Sequence, residues 1–356
     1  MYGAERWLLA LCKHLSPDDL CGDLAVTVED ARQDLSVADL YPGELGQVHR
    51  LPMRGRFDVT VIGRLARIIR DRRIEIVHTH GYKSDIIGLL AARRGGVRTL
   101  STPHGFGESM DLKLRSYVAV GSYALRFFDC VAPLSEQLRD QVRGFGAKNE
   151  RIRLIRNAVD LSEVEPFRDR RSGLRNPDSR RIGYVGQLIP RKNVVDLIQA
   201  FELVAARVDD VELVVVGDGP ERPSLEARVA ASDLGARVRF LGYRADRLEH
   251  MANFDVFALA SRYEGIPRVL MEAQAMGVPV VAYDIPGVDQ LVTSGETGLL
   301  APVDDVHGLA DALLEVLREP GLGACLAENA RNAVVESCSP DRMAGEYLDL
   351  YRELAA

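Results

Sequence analysis

Residues 256–284 have the sequence VFALASRYEGIPRVLMEAQAMGVPVVAYD. An apolar run ends at Ser261, a turn follows at Glu264, and apolar residues then recur at helical spacing up to about Met276. Gly277 is the residue type expected just after a helix, and a second apolar run follows it. The stretch therefore predicts a strand, a helix and a second strand, which is the unit from which parallel sheets are built.

The same alternation continues along the rest of the 356-residue chain. Short β-branched runs such as IEIVHTH, RTLSTPH and VELVVVGDG alternate with helical stretches such as VTVIGRLARIIRDR and KSDIIGLLAARR. A charged stretch with Pro and Gly separates two such series at residues 161–180, which indicates a linker. We therefore predict an α/β protein of two doubly wound, Rossmann-like domains that face a ligand cleft at the carboxyl ends of their strands.

Composition and charge exclude several classes of function. The chain carries 45 basic and 52 acidic residues, so its net charge of −7 gives no support for non-specific nucleic-acid binding. Its five cysteines are scattered and form no C-x-x-C pair, which is typical of reduced thiols and predicts no metal site. No apolar run approaches the roughly 20 residues of a membrane span, and no secretory leader is found, so we expect a cytoplasmic protein.

The predicted helix near Pro267 is expected to bind an anion. Proline suits the first helical position, and the first backbone N–H groups of a helix, with the helix dipole behind them, can hold a phosphate or diphosphate. These groups belong to Arg268, Val269 and Leu270. Glu264 lies just before the helix and Glu272 about one turn inside it, and their carboxylates are suited to accept hydrogen bonds from the hydroxyls of a polyol. The alternative is an ordinary helix with two solvated glutamates.

The spacing of Glu264 and Glu272, followed by Ala-x-Ala-x-Gly-x-Pro-Val-Val-Ala, resembles the Glu-x7-Glu signature of the retaining glycosyltransferases of family 4. These are the group 1 glycosyltransferases, which have the GT-B fold. The resemblance implies that the second domain binds a nucleoside diphosphate sugar. It also implies that Glu264 orients the sugar hydroxyls and Glu272 the ribose hydroxyls, with no cofactor and no catalytic metal.

The segment IGYVGQLIPRKNVVDLIQAF resembles the family's Gly-Arg-Leu-x-x-x-Lys-Gly segment, whose Arg and Lys grip the donor's diphosphate. Lys192 matches the lysine and is predicted to be catalytic. Gln187 stands where arginine is usual, and a neutral amide lacks the charge-assisted fork of a guanidinium. Arg191 is the candidate to compensate for that loss. Asn193 stands where the family has glycine.

The turn VVVGDGPERPSLE resembles the family's Gly-x-Gly-Pro-Glu turn, in which Gly219 would let the backbone approach the nucleotide. A Gly-x-Gly pair also occurs in dinucleotide-binding folds. Here Arg222 occupies the place of the third glycine, which argues against a nicotinamide or flavin site.

In the first half of the chain, RTLSTPHGFG places His104 after a buried strand. The segment resembles the family's Thr-x-His-Gly, which implies a catalytic role near the donor sugar and diphosphate. His78 and His80 lie two residues apart on the preceding predicted strand, so their side chains are expected on the same face. Metal binding by that pair would lack a third ligand.

The first residues resemble a Gly-Gly-Ala-Glu loop, in which Gly3 would lie on the donor side. In the family a strand precedes this loop, so the first domain is predicted to lack its first strand; a late start, a truncated chain or a damaged domain are the alternatives. The C-terminal helix is amphipathic and, by resemblance, returns to the first domain. We therefore predict one domain of residues 1–165 with 340–356, and a second of residues 175–339.

The predicted reaction moves a sugar to the hydroxyl of a glycan, a lipid-linked acceptor or a small molecule. Two alternatives remain open: a nucleotide-sugar-binding or regulatory protein without turnover, and an epimerase or phosphorylase on the same architecture.

The stretch MDLKLRSYVAVGSYALRFFD mixes Lys113, Arg115 and Arg126 with apolar residues, which predicts peripheral contact with an anionic membrane. A helix that packs on its own sheet is the alternative.

Overall fold

The structure is a computed structural model that describes residues 3–30, 33–55, 58–105, 112–168 and 179–356. The chain divides into two compact units. The first contains Met1–Ala158 and Pro340–Ala356, and the second contains Val159–Ser339. Every helix in the described part of the chain is too short or too polar to span a bilayer.

The first unit alternates strands with helices. Its strands are β1 (Leu24–Val28), β2 (Val48–Pro52), β3 (Ile76–Thr79), β4 (Arg98–Ser101) and β5 (Cys130–Val131). Its helices are α1 (Gly3–Lys13), α2 (Ser36–Asp39), α3 (Thr60–Asp71), α4 (Tyr82–Gly95), α5 (Leu112–Ala124) and α6 (Glu136–Gly144).

These five strands form two separate parallel sheets, β1-β2 and β3-β4-β5. Among the described residues, no strand joins one sheet to the other. The segment RIRLIRNAV has the β-branched composition that predicts a strand, but it makes only an isolated bridge, between Ile152 and Val131. The neighbouring strand β5 is followed closely by Pro133, which has no backbone N–H with which to continue a ladder.

Two cores stabilise the first unit. One face of α3 buries Val61, Ile62, Ala66 and Ile69, whose spacing of three and four residues is that of an amphipathic helix. The second core joins α1 to the C-terminal helix. Its largest side chains include Trp7, Leu100, Phe128 and Tyr347.

The second unit contains one six-stranded parallel sheet with the order β11-β10-β9-β6-β7-β8. The strands are β6 (Arg180–Val185), β7 (Val211–Val216), β8 (Val238–Gly242), β9 (Val256–Leu259), β10 (Val280–Tyr283) and β11 (Leu299–Ala301). The helices are α7 (Leu161–Val164), α8 (Val194–Ala205), α9 (Arg222–Ala230), α10 (Arg247–Met251), α11 (Arg268–Ala275), α12 (Val306–Arg318) and α13 (Pro320–Ser337), and α14 (Pro340–Ala355) then belongs to the first unit.

The strand order of this sheet reverses between β6 and β9. The chain proceeds from β6 outward through β7 to β8, then returns to the other side of β6 to form β9 and β10. In doubly wound sheets, ligands bind at such a switch point, outside the carboxyl ends of the strands. A ligand site is therefore expected at the loops that follow β6 and β9.

The boundary between the units lies after Ala158. Residues 159–165, which the predicted range 1–165 placed in the first domain, belong to the second unit. The physical reason is packing, because Val159 and Val164 are both buried in the core of the second unit.

Candidate functional site

Glu264 lies in a buried network just after β9. Its side chain is 6% exposed. Ser261 Oγ donates a hydrogen bond of 2.7 Å to Glu264 Oε1, and Lys192 Nζ donates to the same oxygen. Arg191 Nη1 lies 3.4 Å from the other oxygen, Oε2. One hydroxyl and two cations therefore surround this carboxylate.

The loop after β6 brings the two cations to Glu264. Pro190–Lys192 forms one turn of 3₁₀ helix, and Asn193 then adopts a left-handed backbone conformation with φ of 49°. Asparagine tolerates this conformation better than most residues, which explains why it can stand where glycine was expected. A backbone hydrogen bond of 2.9 Å from Arg262 N to Arg191 O fastens this loop to the loop after β9.

Gln187 and Arg191 differ in where they lie. Gln187 is exposed, and its backbone carbonyl oxygen accepts a hydrogen bond of 3.0 Å from the Tyr184 hydroxyl. Arg191 extends instead toward the loop after β9, where its Nη1 is also 3.3 Å from the Tyr263 carbonyl oxygen. The structure thus brings Arg191, Lys192 and Glu264 together and leaves the Gln187 side chain outside this contact network.

Helix α11 begins one residue later than the sequence predicted. It starts at Arg268, and Pro267 is its N-cap with an extended backbone. The N–H of Leu270 donates to the Pro267 carbonyl oxygen at 3.0 Å. The prediction that Leu270 offers its N–H to an anion was wrong, because the first helical turn already uses that group. For Arg268 and Val269 the anion site stays a prediction.

Glu272, on α11, forms an ion pair that the sequence did not predict. Its side chain is 6% exposed, and its Oε1 accepts a hydrogen bond of 2.8 Å from Arg247 Nη2. Arg247 is the first residue of α10 and is itself only 16% exposed. Both glutamates of the signature are therefore buried and held by basic side chains.

The glycine turn after β7 packs backbone to backbone on the loop after β6. Gly217 has φ of +142°, and a Cβ atom built there would lie 1.8 Å from the Gly186 carbonyl oxygen. A Cβ atom at Gly219 would lie 2.3 Å from the Leu188 carbonyl oxygen. Only glycine fits at these two positions, since any side chain would separate the two loops.

In the first unit, His80 and His104 follow the adjacent strands β3 and β4. His80 Nδ1 lies 3.3 Å from His104 Nε2. The buried Trp7 ring on α1 contacts both imidazoles, with centroid distances of 5.1 Å to each. Burial lowers the pKa of His80 to about 4, so this imidazole is neutral near pH 7.

His78 is part of a neighbouring hydrogen-bond chain. Its Nδ1 lies 2.8 Å from the Tyr351 hydroxyl, and its Nε2 lies 2.8 Å from Thr102 Oγ1, which in turn lies 2.9 Å from the Tyr347 hydroxyl. Burial lowers the pKa of His78 well below its usual value. Both tyrosines belong to α14, so the C-terminal helix packs against the histidine strand of its own unit.

For several of the predicted residues the structure gives no side-chain contacts. Gly3 is the first residue of α1, whereas the side chains of Lys113 and Arg115 lie outside the described part of the structure. Within the described ranges, no group of three or more His, Cys, Asp or Glu side chains is arranged to hold a metal ion. Trp7 and Arg247 had no signal in the sequence, because each contacts residues far away in the chain.

Comparison with known proteins gives consistent matches over both units. A family model described as "Glycosyl transferases group 1" matches residues 167–333, and one described as "Glycosyltransferase Family 4" matches residues 1–163. The lipopolysaccharide core biosynthesis glycosyltransferase LpsE of Rhizobium meliloti is 32% identical over 241 residues, which are 67% of this chain and 68% of that protein.

A second relative is the N-acetyl-alpha-D-glucosaminyl L-malate synthase of Bacillus anthracis. It is 26% identical over 309 residues, which are 84% of this chain and 80% of that protein. Among solved structures, HepE of Anabaena in complex with UDP and glucose has a TM-score of 0.84 at 20% identity. That match covers 99% of this chain and 96% of HepE, and it establishes a shared fold of two Rossmann-like domains.

Proposed function

The chain belongs to the group 1 glycosyltransferases, and we propose that it transfers a sugar from a nucleoside diphosphate sugar to an acceptor hydroxyl with retention at the anomeric carbon. The observation that carries this proposal is the contact of Glu264 with both Lys192 and Arg191 at the switch point of the second unit's sheet. A carboxylate and two cations at the adjacent ends of β6 and β9 can bind, respectively, sugar hydroxyls and a diphosphate.

The two cations stabilise the departing diphosphate. As the bond from the sugar to the diphosphate breaks, negative charge grows on the diphosphate oxygen atoms. Cations that are already in position stabilise this charge more strongly than water does, since the site need not reorganise during the reaction. Lys192 and Arg191 are the residues that supply this charge, with Arg191 taking the place of the arginine that Gln187 replaces.

Glu264 orients the sugar rather than attacking it. Its Oε1 accepts hydrogen bonds from Lys192 and Ser261. When the donor binds, the diphosphate competes for the ammonium group of Lys192, and sugar hydroxyls become hydrogen-bond donors to the carboxylate. The buried charge of Glu264 thus stays compensated in both states, which avoids the large cost of an unpaired buried carboxylate.

His104 is the proposed catalytic contribution of the first unit. Its imidazole would contact the donor sugar and diphosphate region, and Gly3 would contribute backbone nearby. Glu272 would bind the ribose, while the backbone at Gly219 would approach the nucleotide. In HepE, a protein of the same fold, the bound molecules are UDP and glucose, which supports a nucleotide-sugar donor for this chain as well.

The proposed mechanism uses no metal and no cofactor. Lys192 and Arg191 supply the charge that a divalent ion would otherwise provide to a diphosphate. Transfer should therefore continue at the same rate after treatment with EDTA. A loss of activity that is restored by Mg²⁺ or Mn²⁺ would contradict this part of the proposal.

The acceptor is proposed to be the hydroxyl of a carbohydrate, a lipid-linked glycan or a small molecule. The name of the Bacillus anthracis relative specifies malate, and LpsE is named for lipopolysaccharide core biosynthesis, so relatives differ in this respect. Product analysis with a panel of these acceptor classes would identify the acceptor and would exclude epimerisation or phosphorolysis.

The test of the proposed function has two arms. In the first arm, thermal unfolding is measured with UDP, GDP and ADP, because a ligand that binds only the folded state raises its stability. In the second arm, transfer from the matching sugar donor is measured for the wild type, for Lys192→Ala and for Lys148→Ala. Lys148 is 65% exposed in the first unit and serves as the control.

Stabilisation by one diphosphate, with transfer lost only in Lys192→Ala, supports the proposal. Stabilisation without transfer to any acceptor would favour a nucleotide-sugar-binding protein that does not turn over. No stabilisation by any diphosphate would contradict both.

Peripheral membrane contact is a further proposal about location. Val120, Tyr123 and Phe127 are exposed, and the Arg126 guanidinium lies over both aromatic rings, 4.7 Å from the centroid of Tyr123. Exposed aromatic rings beside arginines are suited to the surface of an anionic bilayer. Wild type should sediment with phosphatidylglycerol vesicles at low salt, and Tyr123→Ser with Phe127→Ser should not; equal behaviour of both would refute the contact.

A further inference from the structure

Arg247 contacts one of the two signature glutamates from a separate part of the fold. We infer that Arg247 is a positioning residue for the nucleoside: it fixes the Glu272 carboxylate so that the remaining oxygen, Oε2, accepts hydrogen bonds from the ribose hydroxyls. The inference rests on the proposed function, since it presumes that a nucleoside diphosphate binds. It goes beyond that function by assigning a role to a residue outside every motif in the sequence.

The geometry of this ion pair favours a positioning role. Arg247 Nη2 donates to Glu272 Oε1 at 2.8 Å, while Oε2 is left out of the contact. Among the residues that the structure describes, Arg247 is the one side chain that hydrogen-bonds this carboxylate. A carboxylate offers about four lone-pair positions, so this single contact leaves most of its accepting capacity to a ligand.

The burial of the pair argues against a role in stability alone. The side chains of Arg247 and Glu272 are 16% and 6% exposed, so both charges are largely removed from water. The desolvation of two buried charges can cancel the attraction between them, which makes such pairs poor stabilising elements. The orientation that the arginine imposes on the glutamate is therefore a better account of the pair than its stability.

The position of the pair in the sheet also favours this role. Helix α10 follows β8, at one edge of the sheet, whereas α11 follows β9, and β6 and β7 lie between those two strands. The ion pair therefore joins segments that are separated both in the sequence and in the sheet. Glu272 lies on the helix that leads away from the switch point, where a doubly wound sheet binds its ligand.

The experiment measures how much the ribose hydroxyls contribute to the nucleotide affinity of each protein. Dissociation constants are determined by calorimetry for UDP, GDP and ADP and for their 2′,3′-dideoxy counterparts. The proteins are the wild type, Arg247→Ala, Arg247→Lys and Arg244→Ala. Arg244 is a matched control, because it lies three residues earlier and pairs with Asp246 instead of Glu272.

We expect the wild type to bind its preferred diphosphate about tenfold or more tightly than the dideoxy form, as for hydrogen bonds to a charged group. Arg247→Ala should weaken binding of the ribonucleotide and leave binding of the dideoxy form unchanged, so that the ratio falls toward one. Arg247→Lys should restore part of the ratio, and Arg244→Ala should keep all of it. The ratio compares two ligands on one protein, so it does not depend on how much of a variant is folded.

Two results would overturn the inference while leaving the proposed function intact. In one, Arg247→Ala weakens both ligands equally, which would show that the arginine acts on the diphosphate or on the fold. In the other, the variant keeps the wild-type ratio. A wild type that binds none of the six nucleotides would instead overturn the proposed function, and the inference with it.

Discussion

His80 Nδ1 lies 3.3 Å from His104 Nε2, which links the ends of the adjacent strands β3 and β4. This contact is a hydrogen bond when one of the two ring nitrogens carries a proton and the other accepts it. His80 stays neutral down to about pH 4, because burial lowers the pKa of its imidazole. The tautomer of His80 therefore determines whether its Nδ1 donates to or accepts from His104 Nε2.

The first prediction is that His80 acts through His104. His80→Leu should lower kcat for transfer about tenfold with little change in the KM for the donor, because His104 loses the neighbour that fixes its orientation. His80→Asn, which keeps a polar group near the position of Nδ1, should retain more activity.

A double-mutant cycle provides the control for this prediction. His104→Ala alone should be about as slow as the combined His80→Leu and His104→Ala variant, since His80 has nothing left to orient. Losses that simply add would show that the two histidines act independently.

The second prediction separates what the Lys192–Glu264 pair contributes to the stability of the second unit from what it contributes to sugar transfer. Lys192→Met should destabilise the second unit by about 3 kcal/mol, because the Glu264 carboxylate stays buried with only Arg191 as a cation 3.4 Å away. Lys192→Met combined with Glu264→Gln should recover most of that stability, yet all variants should lack transfer activity.

Hydrogen exchange of amides in the second unit measures this stability directly. Tryptophan fluorescence does not, since the one tryptophan of the chain, Trp7, lies in the first unit. If the double variant is no more stable than Lys192→Met, the buried pair is not the source of the loss.

The alternation of strands and helices could be predicted because apolar periodicity and helix-end residues act locally. The segment at residues 256–284 forms β9, α11 and β10 as expected. The two signature glutamates were found for the same reason, since their spacing is local. The N–H of Leu270 was misjudged because it already donates within the first turn of α11, to the Pro267 carbonyl oxygen.

Contacts between distant segments could not be predicted. Arg247 and Glu272 are 25 residues apart and belong to different helices, so no spacing rule connects them. The same holds for Trp7 and His80, which meet only because α1 packs beside β3. The Arg191 side chain reaches the Tyr263 carbonyl oxygen and Glu264, which are 72 and 73 residues away in the chain, so no local pattern predicts its direction.

The third prediction concerns Gln187, the neutral residue at the position where the family has arginine. Gln187→Arg should tighten binding of the preferred nucleoside diphosphate up to about tenfold, because a guanidinium adds charge-assisted hydrogen bonds. The exchange should be tolerated, since Gln187 is exposed and Tyr184 bonds only its backbone oxygen.

Arg191→Ala tests whether Arg191 now performs that task. The substitution should weaken diphosphate binding strongly in the wild type and less in the Gln187→Arg background, where a second guanidinium is present. Calorimetry at two salt concentrations measures both effects, and the gain should shrink as salt rises. Equal losses in both backgrounds would mean that Arg191 does not replace the missing arginine.

The fourth prediction is a pH dependence of stability in the first unit. Asp85 is buried and accepts hydrogen bonds from the hydroxyls of Thr79 and Ser101, and burial raises the pKa of its carboxyl from 3.8 to about 7. Between about pH 4 and 7 this carboxyl is ionised in the unfolded chain but still protonated in the folded unit. The contribution of Asp85 to stability therefore falls as pH rises. His80 has the opposite sign: its pKa falls from 6.5 to about 4, so stability is lost as pH drops through that window.

Asp85→Asn should therefore expose the histidine effect. Asparagine keeps an oxygen that accepts from Thr79 and Ser101 but has no proton to lose, so the variant should be more stable than the wild type at pH 8, by at most about 4 kcal/mol. As the pH falls below 6.5, the stability of the variant should fall more steeply than that of the wild type. The reason is that Asp85 no longer offsets the stability lost through protonation of His78 and His80 in the unfolded chain. Urea unfolding followed by Trp7 fluorescence from pH 4 to 8 measures both effects, and a variant whose profile is flatter than that of the wild type would contradict the assignment of Asp85.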